Sequence, residues 1–242
     1  MRKLSLVIPC YNEEKNIPLL LESLAVVIKR PDIEVILVDN GSVDQSAEVL
    51  RELLPRYPFA RSVKVEINQG YGFGILTGLQ AARGEFLGWT HADMQTDPVD
   101  VIKGLALLEG APTPHRTAVK GRRKGRALFD QVFTLGMSCF ESIYLKERLW
   151  DINGQPNIFH RSFFKSWDSP PHDFSLDLYA FYMMRRQKLT ILRLDVVFSP
   201  RLHGHSHWNT GFLSKWKFIK RTIDFSLKLK RDLANEIHRT SN

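Results

Sequence analysis

Apolar and polar positions follow two alternating patterns over the first hundred residues. Four short apolar runs predict strands, at 4–8, 34–39, 62–67 and 85–89. Apolar residues at helical spacing between them predict helices at 17–28, 47–54 and 75–82. The second run is apolar on both faces, which is typical of a buried parallel strand. Strand and helix alternation of this kind predicts an α/β domain with a mostly parallel sheet and right-handed crossovers.

The second half of the chain is less regular. Its apolar spacing predicts helices at 99–108, 129–149 and 176–184, a strand at 190–198 and a basic helix at 212–233. The densely basic segment 120–126 is, on charge alone, a solvated loop. We therefore predict one domain over residues 1–211 and a basic amphipathic helical tail over 212–242.

The predicted tail helix carries an apolar stripe with lysines and arginines between its members. Trp216, Ile219 and Ile223 share one side of the helix. This pattern fits an interfacial helix on an anionic membrane, which we favour, or a helix docked on its own domain with snorkelling lysines.

Composition restricts the classes of function. Of 242 residues, 43% are hydrophobic and 25% charged, as in ordinary globular proteins, and the formal net charge is +8. That charge suggests an anionic partner, but no nucleic-acid-binding pattern is present, so we expect no nucleic acid. Two cysteines cannot form a disulfide framework, and we find neither a signal peptide nor a transmembrane run. We expect a cytoplasmic protein, either free or peripheral at the inner face of the cell membrane.

Polar or glycine-rich clusters follow each of the first four predicted strands, at 9–13, 39–42, 68–74 and 91–95. Parallel α/β sheets bind ligands at the carboxyl ends of their strands, so these clusters should meet in one active site. Asp93 could ligate Mg²⁺ or Mn²⁺ with diphosphate oxygens; taken alone it is better explained as a helix cap, but together with the other three clusters it favours a metal site. The glycines of 68–74 indicate either close approach to a ligand or a tight turn.

These segments resemble family 2 glycosyltransferases with the GT-A fold, especially the branch that makes polyprenyl-phosphate (dolichol-phosphate) sugars. The matching motifs are Pro9-Cys-Tyr-Asn-Glu13, Asp39-Asn-Gly-Ser-Val-Asp44, Asn68-Gln-Gly-Tyr-Gly72 and His91-Ala-Asp-Met-Gln-Thr-Asp-Pro98, with a weaker match at Arg201-Leu-His-Gly-His-Ser206. The resemblance implies inverting transfer of a sugar from a nucleotide diphosphate sugar to a lipid-linked acceptor. That acceptor would be polyprenyl phosphate or a lipid-linked glycan.

The resemblance also implies roles for particular residues. Donor contacts would come from Pro9, Tyr11, Glu13, Asp39, Asn40, Ser42, Asn68, Gly70 and Gly74. A divalent metal would be held by His91, Asp93 and Gln95, with Asp93 also catalytic. Phosphate contacts would come from Arg122, Arg123, Arg201 and Ser206.

One metal-site residue departs from the family pattern, because His91 stands where the family has aspartate. Imidazole suits Mn²⁺ better than Mg²⁺, so we expect a preference for Mn²⁺. Alternatively, His91 leaves the metal to Asp93 and hydrogen-bonds the phosphate.

The acceptor decides whether a base is needed. A hydroxyl acceptor requires one, and Asp151 is the candidate, with Asp173 behind it. A phosphate acceptor needs no base, and Asp151 would then only order its loop.

Two other functions stay open. One is a nucleotidyltransferase, although no glycine-rich loop with Arg or Lys follows the first strand. The other is a nucleotide-sugar-binding protein with a metal site degenerate at His91.

Overall fold

The structure is a computed structural model that describes residues 2–126, 128–199, 201 and 219–232. Those residues form one seven-stranded sheet in the order β3-β2-β1-β4-β6-β5-β7. The strands are β1 (Leu4–Cys10), β2 (Ile33–Asn40), β3 (Ala60–Val65), β4 (Phe86–Trp89), β5 (Thr117–Lys124), β6 (Asn157–His160) and β7 (Thr190–Val197). Only β6 runs antiparallel to its neighbours, β4 and β5. The predicted mostly parallel α/β sheet is therefore confirmed.

Helices cover both faces of the sheet. They are α1 (Asn16–Val27), α2 (Ser46–Leu53), α3 (Tyr71–Ala81), α4 (Val99–Glu109), α5 (Leu128–Leu145), α6 (Arg161–Lys165) and α7 (Leu176–Arg186), followed by α8 at 219–232. Successive strand residues point to opposite faces, so Val7 joins the core against α3 while Leu6 and Ile8 join the core against α1. Both faces are apolar for this reason.

The basic segment is the main difference from the sequence prediction. Residues 120–124 are not a solvated loop, because they form the second half of β5. Lys120 lies in the strand with no exposed surface, and its charge, followed by those of Arg122, Arg123 and Lys124, gave this half of the strand the pattern of a solvated loop. β6 and α6 were missed because four and five residues are too few to show a period.

The described part of the tail helix packs on the domain. Phe225 and Leu229 of α8 contact the core, and the Ser226 hydroxyl lies 2.6 Å from the Glu141 carboxylate of α5. The Lys230 ammonium lies 4.3 Å from the centre of the Tyr144 ring. These contacts support the docked-helix alternative for 219–232. Trp216 and the expected boundary at 211/212 lie outside the described residues.

Among the residues that the structure describes, no helix combines the length and apolar character that a membrane span requires.

Candidate active site

The loops after β1 and β2 interlock at the carboxyl edge of the sheet. The backbone N–H of Asn12 donates to Ser42 Oγ at 3.1 Å, and Asn12 Oδ1 accepts from the N–H of Val43 at 2.9 Å. Ser46 Oγ accepts from the N–H of Glu13 at 2.9 Å. The two predicted motifs thus hold each other in place, and Ser42 has a structural role. Pro9 lies half-buried at the end of β1, and Tyr11 beyond it is 39% exposed.

The end of β2 is tied to the glycine-rich turn before α3. Asp39 Oδ1 accepts from the N–H of Ser42 at 3.0 Å, and the Asn40 amide donates to the carbonyl of Gly70 at 3.0 Å. A Cβ on Gly74 would lie 2.8 Å from Asn40 Cγ. Gly74 therefore makes room for a protein side chain, which favours the tight-turn interpretation of this segment.

Gly70 and Asn68 complete that turn. Gly70 has a φ of +114°, and a Cβ there would overlap the carbonyl oxygen of His172. Asn68 Oδ1 accepts from the N–H of Gly70 at 2.8 Å, which closes the turn locally. Contacts within the chain therefore explain why glycine is needed at these positions. Their expected contacts with the donor stay predictions.

The segment after β4 brings together three of the predicted site residues. Asp93 is 5% exposed, and its Oδ2 accepts from the Arg201 guanidinium at 2.6 Å. Its Oδ1 accepts from the N–H of Gln95 at 3.2 Å. The Gln95 amide donates to the carbonyl of Ser199 at 3.0 Å, which ties this loop to the segment that follows β7. The Asp93 carboxylate and the Arg201 guanidinium therefore meet at the place where the sequence predicts a metal ion and a phosphate group.

Glu13 belongs to the same electrostatic cluster. Burial raises the pKa of its carboxyl, and the nearby charges of Asp93 and Asp44 also push it up. The Asn16 amide, which donates to Glu13, and the charge of Arg201 act in the opposite direction. An added cation would relieve this excess of negative charge.

The donor set suits a metal that substrate oxygens help to hold. Within the described ranges, no three His, Cys, Asp or Glu side chains cluster closely enough to bind a metal alone. Magnesium-type ions are often held by one or two carboxylates with phosphates and waters completing the shell. Asp93 could supply that carboxylate once Arg201 turns to the phosphate. His91 and Gln95 are the neutral candidates beside it.

Asp151 does not have the environment of a general base. Its carboxylate accepts from the backbone N–H of Arg123 at 2.7 Å and from Nε of the same residue at 2.8 Å. Burial pushes the pKa of Asp151 upwards, but the charge and hydrogen bonds of Arg123 outweigh it, so the pKa lies below its ordinary value. A base should have a pKa near the working pH. This environment favours the loop-ordering alternative, and a role of Asp151 as base stays a prediction.

The two arginines expected at phosphate are both paired within the chain. Arg123 is nearly buried against Asp151, whereas Arg122 makes an exposed ion pair with Asp195, its register partner on β7. Consecutive strand residues point to opposite faces, so these two cannot serve one phosphate together. Of the described arginines predicted for phosphate, Arg201 is the one that contacts the metal-site cluster. Ser206 lies outside the described residues.

Sequence reasoning missed an aromatic stack beside His91. The Tyr71 ring lies 6.0 Å from the His91 ring and 4.5 Å from the Phe174 ring, nearly parallel to the latter at 9°. The Arg221 guanidinium of α8 lies 5.2 Å from the centre of Phe174. The stack thus connects the end of β4 to the C-terminal helix. Tyr71 was visible only as the variable position of a glycine motif.

A buried polar network below the site was also missed. The Lys120 ammonium donates to the carbonyl of Gly154 at 3.1 Å and to Asn157 Oδ1 at 2.9 Å. The Asn157 amide and the Trp89 indole N–H both donate to Asp177, each at 3.2 Å. Burial lowers the pKa of Lys120 to about 7 and raises that of Asp177. This network fixes β4, β5 and α7 below His91.

Comparison with known proteins identifies the family. The family model described as glycosyl transferase family 2 matches residues 5–174. The chain belongs to this family. The match includes all four motif clusters at the carboxyl edge, and it ends just before α7.

Curated relatives agree over part of their length. An undecaprenyl-phosphate 4-deoxy-4-formamido-L-arabinose transferase of Photorhabdus laumondii is 36% identical over 105 residues, which are 42% of this chain and 32% of that protein. A protein of the same name from Pseudomonas fluorescens is 36% identical over 130 residues, or 51% of this chain and 37% of its own length. The aligned segment thus spans about a third of these relatives.

Solved structures confirm the fold. Glucosyl-3-phosphoglycerate synthase from Mycobacterium tuberculosis, solved with Mn²⁺, uridine diphosphate and glucosyl-3-phosphoglycerate, matches with a TM-score of 0.70 at 18% identity. That match covers 93% of this chain and 78% of the other. The same enzyme with Mg²⁺ and uridine diphosphate matches at 0.66 and 18% identity, covering 88% of this chain and 76% of that one. At this identity the likeness shows the fold, which is the predicted GT-A arrangement.

Proposed function

We propose that this chain transfers a sugar from a nucleotide diphosphate sugar, with inversion, to a lipid-linked acceptor. The observation that carries the proposal is the contact between Asp93 and Arg201 at the end of β4. A buried carboxylate suits a divalent cation, and a guanidinium suits a diphosphate. Family membership and the relatives named as undecaprenyl-phosphate sugar transferases support the donor and acceptor classes.

The proposed metal is held by Asp93, with His91 and Gln95 beside it. When bound, such an ion would neutralise charge on the leaving nucleoside diphosphate. The protein's own contribution is to keep the Asp93 carboxylate in place through the N–H of Gln95 and to supply Arg201 to the phosphates. Neighbours solved with Mn²⁺ or Mg²⁺ and uridine diphosphate support a divalent ion.

A phosphate acceptor fits the site better than a hydroxyl acceptor. A phosphate needs no general base, because its second pKa is about 6. Asp151 is held in an ion pair with Arg123, so the expected base is already engaged. We therefore favour polyprenyl phosphate over a lipid-linked glycan, and we place the protein at the inner face of the cell membrane.

Donor binding can be tested by thermal unfolding with nucleoside diphosphates in the presence and absence of Mn²⁺. A ligand at a hundred times its Kd stabilises by about 2.7 kcal/mol, which raises the Tm of a domain this size by roughly 5–10 °C. We expect that shift only with the metal present, and we expect Asp93→Asn to abolish it. If no nucleoside diphosphate stabilises the wild type in a metal-dependent way, the transferase proposal fails.

The choice of acceptor can be tested separately with Asp151→Asn. A phosphate acceptor predicts that transfer to a polyprenyl phosphate retains its pH profile in this variant, with any loss of rate matched by a loss of stability. Disappearance of the acidic limb from that profile, the fall in rate as a catalytic base becomes protonated, would restore Asp151 as the base. Asp173→Asn is the matched variant, because Asp173 is the second carboxyl predicted as a base and contacts Arg221.

A further inference from the structure

Helix α5 exposes an apolar stripe along its length. Leu128, Val132, Leu135 and Ile143 are 77%, 59%, 42% and 79% exposed, and Cys139 between them is also exposed. The five positions are separated by steps of four, three, four and four residues, so they lie on one side of the helix. Among the exposed α5 side chains that the structure describes, only Gln131 is polar.

The opposite side of α5 carries polar groups into the protein. Ser138 is buried and its hydroxyl accepts from the N–H of Asp151 at 3.2 Å, while Glu141 is buried against Ser226 of α8. A helix that faced only water would show the reverse distribution. Single exposed apolar residues are ordinary, but a continuous stripe indicates an interaction surface.

Cations surround the two ends of this stripe. Lys124 precedes α5, Lys146 and Arg148 follow it, and all three are exposed. Trp150, an aromatic residue of the kind found at membrane interfaces, is 50% exposed beyond them. An apolar helix surface with a basic rim is complementary to a bilayer that contains anionic lipid.

We propose that the α5 stripe, defined as Leu128, Val132, Leu135, Cys139 and Ile143, docks in the interface of an anionic lipid bilayer. The proposal moves the membrane contact from the tail helix, whose apolar residues Phe225 and Leu229 are packed on the domain, to α5. It extends the proposed function by naming the surface that would face a lipid-borne acceptor. It does not depend on the sugar chemistry, so the two can fail independently.

The chain offers its own reporter for the test. Cys139 is the exposed cysteine on the stripe, whereas Cys10 is buried and burial raises the pKa of its thiol well above the ordinary value. A thiol-reactive, environment-sensitive fluorophore should therefore label Cys139 selectively. We expect its emission to shift to the blue on vesicles of phosphatidylcholine with phosphatidylglycerol, and much less on phosphatidylcholine alone. The matched control is the same fluorophore on a Cys139→Ser/Val26→Cys variant, because Val26 is 69% exposed on α1.

Co-sedimentation of the full chain with the same vesicles gives the second measurement. We expect Leu128→Ser/Ile143→Ser to lower vesicle affinity at least tenfold, because each substitution removes apolar surface that would be buried in the membrane interface. Val26→Ser/Leu107→Ser, which removes exposed apolar side chains of α1 and α4, should keep wild-type binding. Metal-dependent nucleotide binding should be unchanged in both variants, which separates this test from that of the proposed function.

Two results would overturn the proposal. The first is equal vesicle binding by the wild type and the stripe variant, or no binding by either. The second is a blue shift that appears without vesicles and increases with protein concentration, together with a dimer that the stripe variant cannot form. That outcome would assign the α5 stripe to a second copy of the chain.

Discussion

The contact between α5 and α8 allows one quantitative prediction. Glu141 is fully buried, and its Oε2 lies 2.6 Å from the Ser226 hydroxyl oxygen, which also lies 3.0 Å from the carbonyl of Thr222. A serine has one hydroxyl proton and can donate only once. If Ser226 donates to Thr222, Glu141 must be protonated and donate to Ser226. Burial raises the pKa of Glu141 from 4.5 to about 7, in agreement with a neutral carboxyl.

The size of the effect follows from that pKa. At about 1.36 kcal/mol for each step of one in pKa, a rise from 4.5 to about 7 corresponds to roughly 3 kcal/mol. Because the pKa is higher in the folded state, this stability is fully present below pH 4.5 and is lost as the pH rises through about 7. Above that pH the penalty for the buried charge is constant.

Glu141→Gln removes the titration and keeps the shape of the side chain. We expect the free energy of unfolding of the variant, relative to the wild type, to increase by about 2–3 kcal/mol between pH 5 and pH 8. Urea unfolding at several pH values measures this difference, and other titrating groups cancel in it. Ser226→Ala is the companion variant, since it should lose about 1–2 kcal/mol yet keep the pH dependence of Glu141. Parallel pH profiles for Glu141→Gln and the wild type would refute the reasoning.

Three further predictions concern the site and the packing below it. Arg201→Ala should bind Mn²⁺ more tightly in the absence of nucleotide, because Asp93 loses its competing partner. The same variant should bind nucleoside diphosphates about tenfold more weakly. Calorimetric titration measures both affinities, and unchanged values would remove Arg201 from the site. His91→Asp should shift metal preference from Mn²⁺ towards Mg²⁺ in nucleotide-binding assays, and an unaltered preference would show that His91 is not a ligand. Gly78→Ala should cost about 1–3 kcal/mol in denaturant unfolding, because its Cβ would lie 2.9 Å from a Val38 methyl, whereas Gly136→Ala in α5, with no atom within 4 Å, should be neutral or stabilising.

The sequence was most informative where apolar residues form buried strands and polar clusters follow the ends of those strands. The buried strands β1 and β2 are apolar on both faces, so they could be recognised without knowledge of their partners. The four motif clusters could be placed at one edge because the carboxyl ends of parallel strands meet there. This reasoning predicted the sheet and the neighbourhood of Asp93, and the structure confirms that arrangement.

The sequence was least informative where a charge is paired inside the protein. Lys120 made a buried strand look like a loop, because its hydrogen-bond partners Gly154 and Asn157 are more than thirty residues away. Arg123 and Asp151 were predicted to serve phosphate and proton transfer, yet they neutralise each other. Local patterns identify a charged residue, but only the fold shows whether its partner is a ligand or another side chain.

The family pattern and the site do not end at the same residue. The family match covers 5–174, whereas Arg201 reaches Asp93 from beyond β7, and Asp177 lies below His91 from α7. The stack that begins at His91 ends at Arg221 of α8. The motifs inside the match are the ones predicted to serve the proposed donor and metal. We therefore expect the features that distinguish this chain's acceptor to lie mainly after residue 174, where side chains from beyond the family match reach the same edge of the sheet.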